Sequence, residues 1–434
     1  MTDRPPCPRP RGLSRRTLLG LVGAGGLALA TGCARGTYTR PAPGNVLTLN
    51  NDVATWAAAY DAASTVLEQR TGSRLAVRAV PNQSTYQQIV RMSAQTDATT
   101  DLFKWWNGYR LQDIARGGII SDLSGAWDHA QAQGWVDPAM RASFSFDGRP
   151  YALPLYKTYY PMFFSRRTFA AAGVAVPTTF AELLEVAGTL RDAGITPIGA
   201  PGASTWESII WFTQLLIAHS PDFYEDVAAG RASYLDDTAT ATMELWARMY
   251  ADGLFSGPDA DSSGFPGQFA DGTLGMMLGG TFNINSYTEA GLGPADVGMF
   301  LVPPVDPAVE QAVVVESAAL CVSANAHKHE QAMAVAENWL ATDVQQAWVD
   351  QLGDASANPA ALPTGSAVAD LAQDVARVRP REVTRYWEAS PPVLVEGNVR
   401  DLSAFMVTPT VDNGITVLRN MQDRADAEWE AWRA

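Results

Sequence analysis

Cysteine is scarce in this chain, with three among 434 residues, and the three are placed so that none can pair within the fold. Cys7 and Cys33 precede any strand or helix pattern, which leaves Cys321 alone in the remainder. A disulfide framework is thereby excluded. Cys321 lies in the apolar run Ala318-Ala319-Leu320-Cys321-Val322, where a buried small hydrophobe is expected and no activating base is in sight. Positive charge is also short: 31 Lys and Arg face 46 Asp and Glu, a formal net charge of −15. Nothing forms the basic stripe that nucleic acid requires, so no nucleic-acid partner is expected. Beyond the N-terminus no apolar run approaches bilayer length, and no GxxxxGK[ST] stretch exists to bind ATP. Of the four histidines only His327 and His329 lie close together, without a third ligand. Asp259-Ala260-Asp261-Ser262-Ser263-Gly264 begins like a calcium loop, but its twelfth position is Ala270 where a bidentate Glu is needed. No metal and no cofactor are expected.

What is present begins at the N-terminus. Ser14-Arg15-Arg16-Thr17-Leu18-Leu19 leads into a Gly-rich apolar segment closing on Ala30-Thr31-Gly32-Cys33. A basic region, a short apolar core and small residues before a break make a secretory signal, and the paired arginine marks the twin-arginine route. Small residues directly before Cys33 match the bacterial lipobox, with Ala30 where leucine is usual; Cys33 is the expected lipidation site. Gly23-Ala24-Gly25-Gly26-Leu27-Ala28 also fits a loose GxGxxA fingerprint, but it lacks the preceding strand and following acid of a dinucleotide site. Residues 1–32 read as signal peptide and 33–44 as a flexible tether. Removing the signal carries the formal charge to about −19. Roughly 400 residues remain, more than one core usually holds, so two domains are expected.

From Asn45 onward strand and helix patterns alternate: strands at residues 46–49, 75–80 and from Asp101, with helices between them. Such an order predicts an α/β fold with mainly parallel sheets, which bind ligands at the carboxyl ends of their strands. Extended segments at 148–154 and 297–304, both closed by proline, and the Pro-, Ala- and Asn-containing loop 353–365 read as three crossovers between two lobes. Residues 45–154 with 305–353 are expected to form lobe 1, and residues 155–304 with 354–434 lobe 2. Trp211, Trp246, Trp339, Trp348 and Trp429 fall within helical patterns and are expected in the core.

Five motifs, in order, resemble the family 1 extracellular solute-binding proteins, the substrate receptors of bacterial carbohydrate importers of the ABC type. The first is Asp101-Leu102-Phe103-Lys104-Trp105-Trp106-Asn107-Gly108, with Gly117-Gly118-Ile119-Ile120-Ser121-Asp122-Leu123 after it. Next come Asp147-Gly148-Arg149-Pro150-Tyr151-Ala152-Leu153-Pro154, then Gly173-Val174-Ala175-Val176-Pro177-Thr178-Thr179-Phe180 and Ala193-Gly194-Ile195-Thr196-Pro197-Ile198. Phe269-Ala270-Asp271-Gly272-Thr273-Leu274-Gly275-Met276-Met277 with Gly279-Gly280 follows, and Ser323-Ala324-Asn325 and Arg385-Tyr386-Trp387-Glu388 complete the set. Phe180, Leu274-Gly275 and Ser165-Arg166 depart from the usual Trp, Ala pair and Tyr-Asn, which points to a divergent branch. The resemblance implies a two-lobed periplasmic-binding-protein-like fold and a monomer tethered by lipid to the outer face of the cytoplasmic membrane. It also implies capture of a sugar in an interlobe cleft and delivery to permease subunits, with ATP hydrolysed by a partner.

A sugar presents hydroxyls around its rim and apolar C–H faces, so its site needs aromatic planes with amide or carboxylate partners. Candidates at strand ends and crossovers are Asn51, Asp52, Trp105, Trp106, Tyr156, Tyr159 and Glu316, and the resemblance implies Tyr386, Trp387 and Glu388, which lie where the family contributes its last contacts. Trp105 and Trp106 point to opposite sides of an extended segment, and Trp106 is favoured for the cleft because Asn107-Gly108 follows it. In the family an aromatic at the place of Trp206 stacks on the sugar; Glu207, Gly280 and Phe282, the last where Trp is usual, are further candidates. Two bland readings stand beside these: Asp52 as an N-cap and Glu207 as a first-turn charge. Two other functions are weighed: a surface-anchored glycoside hydrolase built on Glu207, Glu316 and Glu388, and the same receptor fold holding a non-sugar such as a polyamine.

Overall fold

A computed structural model describes residues 44–201 and 207–433. The signal, the tether, Cys33 and Trp206 lie outside the described residues. Among these residues the strands in chain order are β1 (Val46–Asn51), β2 (Arg74–Ala79), β3 (Leu102–Trp106), β4 (Ser145–Phe146), β5 (Arg149–Pro150), β6 (Leu153–Pro154), β7 (Thr158–Tyr159), β8 (Met162–Ser165), β9 (Thr196–Gly199), β10 (Leu274–Leu278), β11 (Val297–Phe300), β12 (Ala312–Glu316), β13 (Ala318–Val322) and β14 (Arg381–Thr384).

The first sheet has the order β2-β1-β3-β13-β6. Leu47 and Leu49 on β1 and Leu102 on β3 are fully buried, and each contributes about 1.5–3 kcal/mol by leaving water. The 15-residue helix Ala57–Thr71 returns the chain from β1 to β2, ending at Gly72 with φ 70°, a left-handed cap that glycine adopts without Cβ strain. Return through a helix makes β1 and β2 parallel, and β1 also pairs parallel with β3. On the other side β13 runs antiparallel to both β3 and β6. The second sheet, β11-β8-β10-β9, is likewise mixed, with only β10 and β9 parallel. The α/β class holds, but the sheets are less parallel than the strand and helix alternation implies, because later segments enter each sheet from the opposite direction.

A third sheet, β14-β12-β7, is small and central to the site. Strand β12 pairs parallel with β14 and antiparallel with β7, bringing together three segments far apart in sequence. One residue, Ser317, separates β12 from β13; its hydroxyl donates to the Tyr156 carbonyl oxygen. There the chain leaves the small sheet for the first one.

Among the described residues the apolar side chains form three cores. One gathers Leu47 through Tyr156 with Ala318 through Ala357, and Cys321 lies fully buried in it. A second takes in Tyr160, the helix Glu207–His219 and the C-terminal helices. The third, under Phe163, Phe265, Tyr287 and Val368, lies on the far side of the second sheet. Trp211, Trp246, Trp339, Trp348 and Trp429 are all buried, as their helical spacing requires.

Candidate functional site

At the carboxyl end of β3 the chain meets the segment after β14. Gly108 has φ 59°, and a Cβ there would collide with the Glu388 carbonyl group. Only glycine lets the backbones approach this closely. Between the two segments lies a cavity of about 310 Å³ lined by Asp52, Gln83, Trp106, Glu316, Arg385 and Trp387.

Most of the lining side chains are held from behind by neighbouring charged or polar groups. Trp106 and Lys104, two residues apart on β3, share a face, and the Lys104 ammonium stands 4.3 Å from the Trp106 ring centre while pairing with Asp52 at 2.8 Å. Trp387 is backed in the same way by the Arg110 guanidinium, 4.3 Å from its ring centre, which also reaches Glu396 at 3.3 Å. Burial lowers the pKa of Arg110, with Glu388 and Glu396 opposing it.

Glu316 closes the floor. Its Oε1 accepts from the Tyr156 hydroxyl at 2.7 Å, and its Oε2 accepts from Tyr160 and from Arg385 Nη1, both at 2.5 Å. Arg385 donates through Nε to Glu388 at 2.9 Å. Burial by itself would weaken the charge on Arg385, but the two carboxylates outweigh it and raise its pKa well above the usual value. Burial first and the Glu316 charge second raise the Tyr156 and Tyr160 hydroxyls, so both remain donors.

Several expected site residues are placed elsewhere. Trp105 turns into the core, where its indole donates to the Arg110 carbonyl oxygen at 2.9 Å. Tyr159 is the neighbour of cleft-facing Tyr160 on extended chain and so points the other way, toward Lys157 and Glu382. Tyr386 is fully buried against Tyr234 and Asn398, because in the short helix Tyr386–Ala389 only Trp387 faces the cavity. Glu388 is buried and acts on the cleft through Arg385. Asn51 is buried and accepts from the Val53 backbone N–H at 2.6 Å, which shapes the turn carrying Asp52. Glu207 is the first residue of its helix, and burial lifts its carboxyl to about 7. Gly280 is close against Phe282, whose ring meets Tyr160 edge-on at 6.3 Å.

Gln83, Lys104, Arg110, Tyr160 and Arg385 were not among the expected site residues. A period-2 reading of β3 places Lys104 beside Trp106, and Arg385 stands inside a quoted motif. Gln83, Arg110 and Tyr160 carry no local signal; only the tertiary fold brings them in. Among the described residues no cluster of His, Cys, Asp or Glu is arranged to hold a metal ion, and no helix is long and apolar enough to cross a membrane.

A cleft walled by two tryptophans, floored by a fixed carboxylate and lying beside a three-segment sheet belongs to a binding fold. A sequence profile of the bacterial extracellular solute-binding proteins matches residues 57–376, and the chain belongs to that family. Among curated relatives, a probable sugar-binding periplasmic protein of Brucella suis biovar 1 is 26% identical over 198 residues, 44% of this chain and 45% of the relative. Another, from Rhizobium meliloti, is 29% identical over 163 residues, 35% of this chain and 38% of the relative. The chain thus matches less than half the length of these relatives. Solved structures cover far more. The bacterial solute receptor AcbH, described with an exclusive preference for β-D-galactopyranose, superposes with TM-score 0.77 at 17% identity, over 88% of this chain and 99% of that one. A probable secreted solute-binding lipoprotein from Streptomyces coelicolor gives 0.74 at 20% identity, over 87% and 98%. The two-lobed fold of these receptors is the fold of this chain.

Proposed function

We propose that the protein is the substrate-binding lipoprotein of a carbohydrate ABC importer, taking a sugar between Trp106 and Trp387 and delivering it to a membrane permease. The observation that carries the reading is the cavity itself: two aromatic planes beside Asp52, Gln83, Glu316 and Arg385, the mixture a pyranose rim and face require. The sugar-binding names of the curated relatives, and a raffinose complex of RafE at TM-score 0.70 and 17% identity, over 88% of this chain and 99% of that one, support it. Calorimetry of the lipid-free protein against mono-, di- and trisaccharides tests it. Binding by one neutral saccharide is expected, and heat from none of them refutes the reading.

The lobe boundaries belong to the same proposal. Lobe 1 is 45–154 with 305–353 and lobe 2 is 155–304 with 354–434; the core joining Leu47 through Tyr156 to Ala318 through Ala357 supports the placement of 318–353 in lobe 1, whereas Ala312 and Val314 pack in the core around Tyr160. Ligand then acts by favouring the closed arrangement of the lobes. Hydrolysis is disfavoured because both Glu316 oxygens already accept from fixed donors and Glu388 is sealed behind Arg385. A polyamine is disfavoured because the cleft's carboxylates already carry cations of the protein. The anchor is Cys33, exported by the twin-arginine signal, with the folded part acting as a monomer. Cys33→Ala is expected to move the protein from the membrane to the soluble fraction; retention at the membrane would refute the anchoring.

A further inference from the structure

Behind the cleft lies a carboxylate that does not itself line the cavity. Asp354 follows Gly353, which ends the helix Thr342–Leu352, and is 1% exposed. Three neutral donors hold it: the hydroxyls of Thr158 and Thr281 and the Ala355 backbone N–H at 2.7 Å. These donors come from separate segments, since Thr158 is on β7 and Thr281 opens the turn at 281–283 that carries Phe282. Other bonds join the same segments. The Thr281 hydroxyl oxygen accepts from Tyr159 N–H at 3.1 Å, and Asn285 donates to the Leu352 carbonyl oxygen at 2.8 Å.

We propose that Asp354 is a positioning residue for the ligand cleft: its carboxylate clamps β7 to the turn at 281–283 and thereby fixes Phe282 and Tyr160 against Glu316. The proposal rests on the cleft being the sugar site. Its logic is one of direction. Thr158 pairs with Glu316 across β7 and β12, so both stand on the cleft side of the small sheet, whereas Lys157 and Tyr159 stand on the other side with Glu382. The charged group facing Asp354 is therefore Glu316. A clamp of hydroxyls on a carboxylate holds both segments without adding a cation to the cleft. Burial, with Glu316 adding to it, raises the Asp354 carboxyl to about 7 against the three hydrogen bonds. Ionised, it accepts from both threonines; protonated, it must donate one bond instead.

The test uses Asp354→Asn, which keeps the shape, does not titrate and puts an NH2 donor where one acceptor oxygen stood, as the protonated acid does, and Thr281→Val, which removes one hydroxyl at constant size. Saccharide affinity by calorimetry is expected to vary in the wild-type protein between about pH 6 and about pH 8 and to be flat in Asp354→Asn, while Thr281→Val loses about tenfold. Amide exchange of residues 281–283 in the ligand-free protein, corrected for intrinsic rates, is expected to change across the same range in the wild type only. Matching pH profiles in wild type and Asp354→Asn, with Thr281→Val binding normally, overturn the clamp. If the wild type binds no saccharide, the sugar reading fails, and the exchange measurement alone decides the clamp: a profile shared by wild type and Asp354→Asn overturns it.

Discussion

Trp106 does its work with Lys104 behind it, since the strand period puts residues two apart on one face and the ring's rear is filled by an ammonium. Its other face lines the cavity, where the proposed function puts the apolar side of a sugar. Trp106→Ala and Trp387→Ala are each expected to weaken saccharide binding at least about tenfold, measured by calorimetry. Arg385 is a different case, because removing it strands Glu316 and Glu388 in the interior. Arg385→Met should lower unfolding stability by about 3–5 kcal/mol in urea titration. Individual residues were legible in the sequence only where a local rule applied. Strand alternation separated Trp105 from Trp106 and the following Asn107-Gly108 favoured Trp106, while the same alternation, applied between Tyr156 and Tyr160, places Tyr160 on the cleft side and Tyr159 behind. Tyr386 and Glu388 misled because a motif names a segment and not which of its side chains turns outward.

Helices were the most legible elements. In the helix Phe180–Asp192 the start is marked by Thr-x-x-Glu, a capping box in which the Thr179 hydroxyl accepts from Glu182 N–H and Glu182 reaches back to the Thr179 N–H. Thr179→Ala should cost about 1 kcal/mol of stability, seen as a lower melting temperature. Glu207 shows two effects in competition at one helix start. The helix dipole favours a charged carboxyl there, yet burial prevails and lifts it to about 7. Its contribution to stability is therefore intact below the unfolded-state pKa and is lost as pH rises through about 7. Glu207→Gln should flatten the stability profile over that range in denaturant titrations. Strand pairing was less legible. The run 313–323 is apolar except at Glu316, Ser317 and Ser323 and reads as strand, yet it breaks at Ser317 and serves two sheets, and no local pattern reveals which partner an apolar strand will meet.

At the scale of the whole molecule, length and alternation indicated the α/β class and a two-lobed architecture, and the ordered motifs indicated the family. Mixed pairing in both sheets was hidden, because direction depends on where distant segments return. The cleft gathers Asp52 and Gln83 from the beginning of the fold, Trp106 from β3, Glu316 from β12, and Arg385 and Trp387 from beyond β14. That scatter has a consequence for the chain's own synthesis. A growing polypeptide has no complete pocket until nearly nine-tenths of it has been made, so a ligand of this cavity finds its full set of contacts only late in synthesis. On the proposed sugar-binding reading, a chain terminated before Trp387 lacks part of the cavity lining and is expected to bind saccharide more weakly than the finished protein.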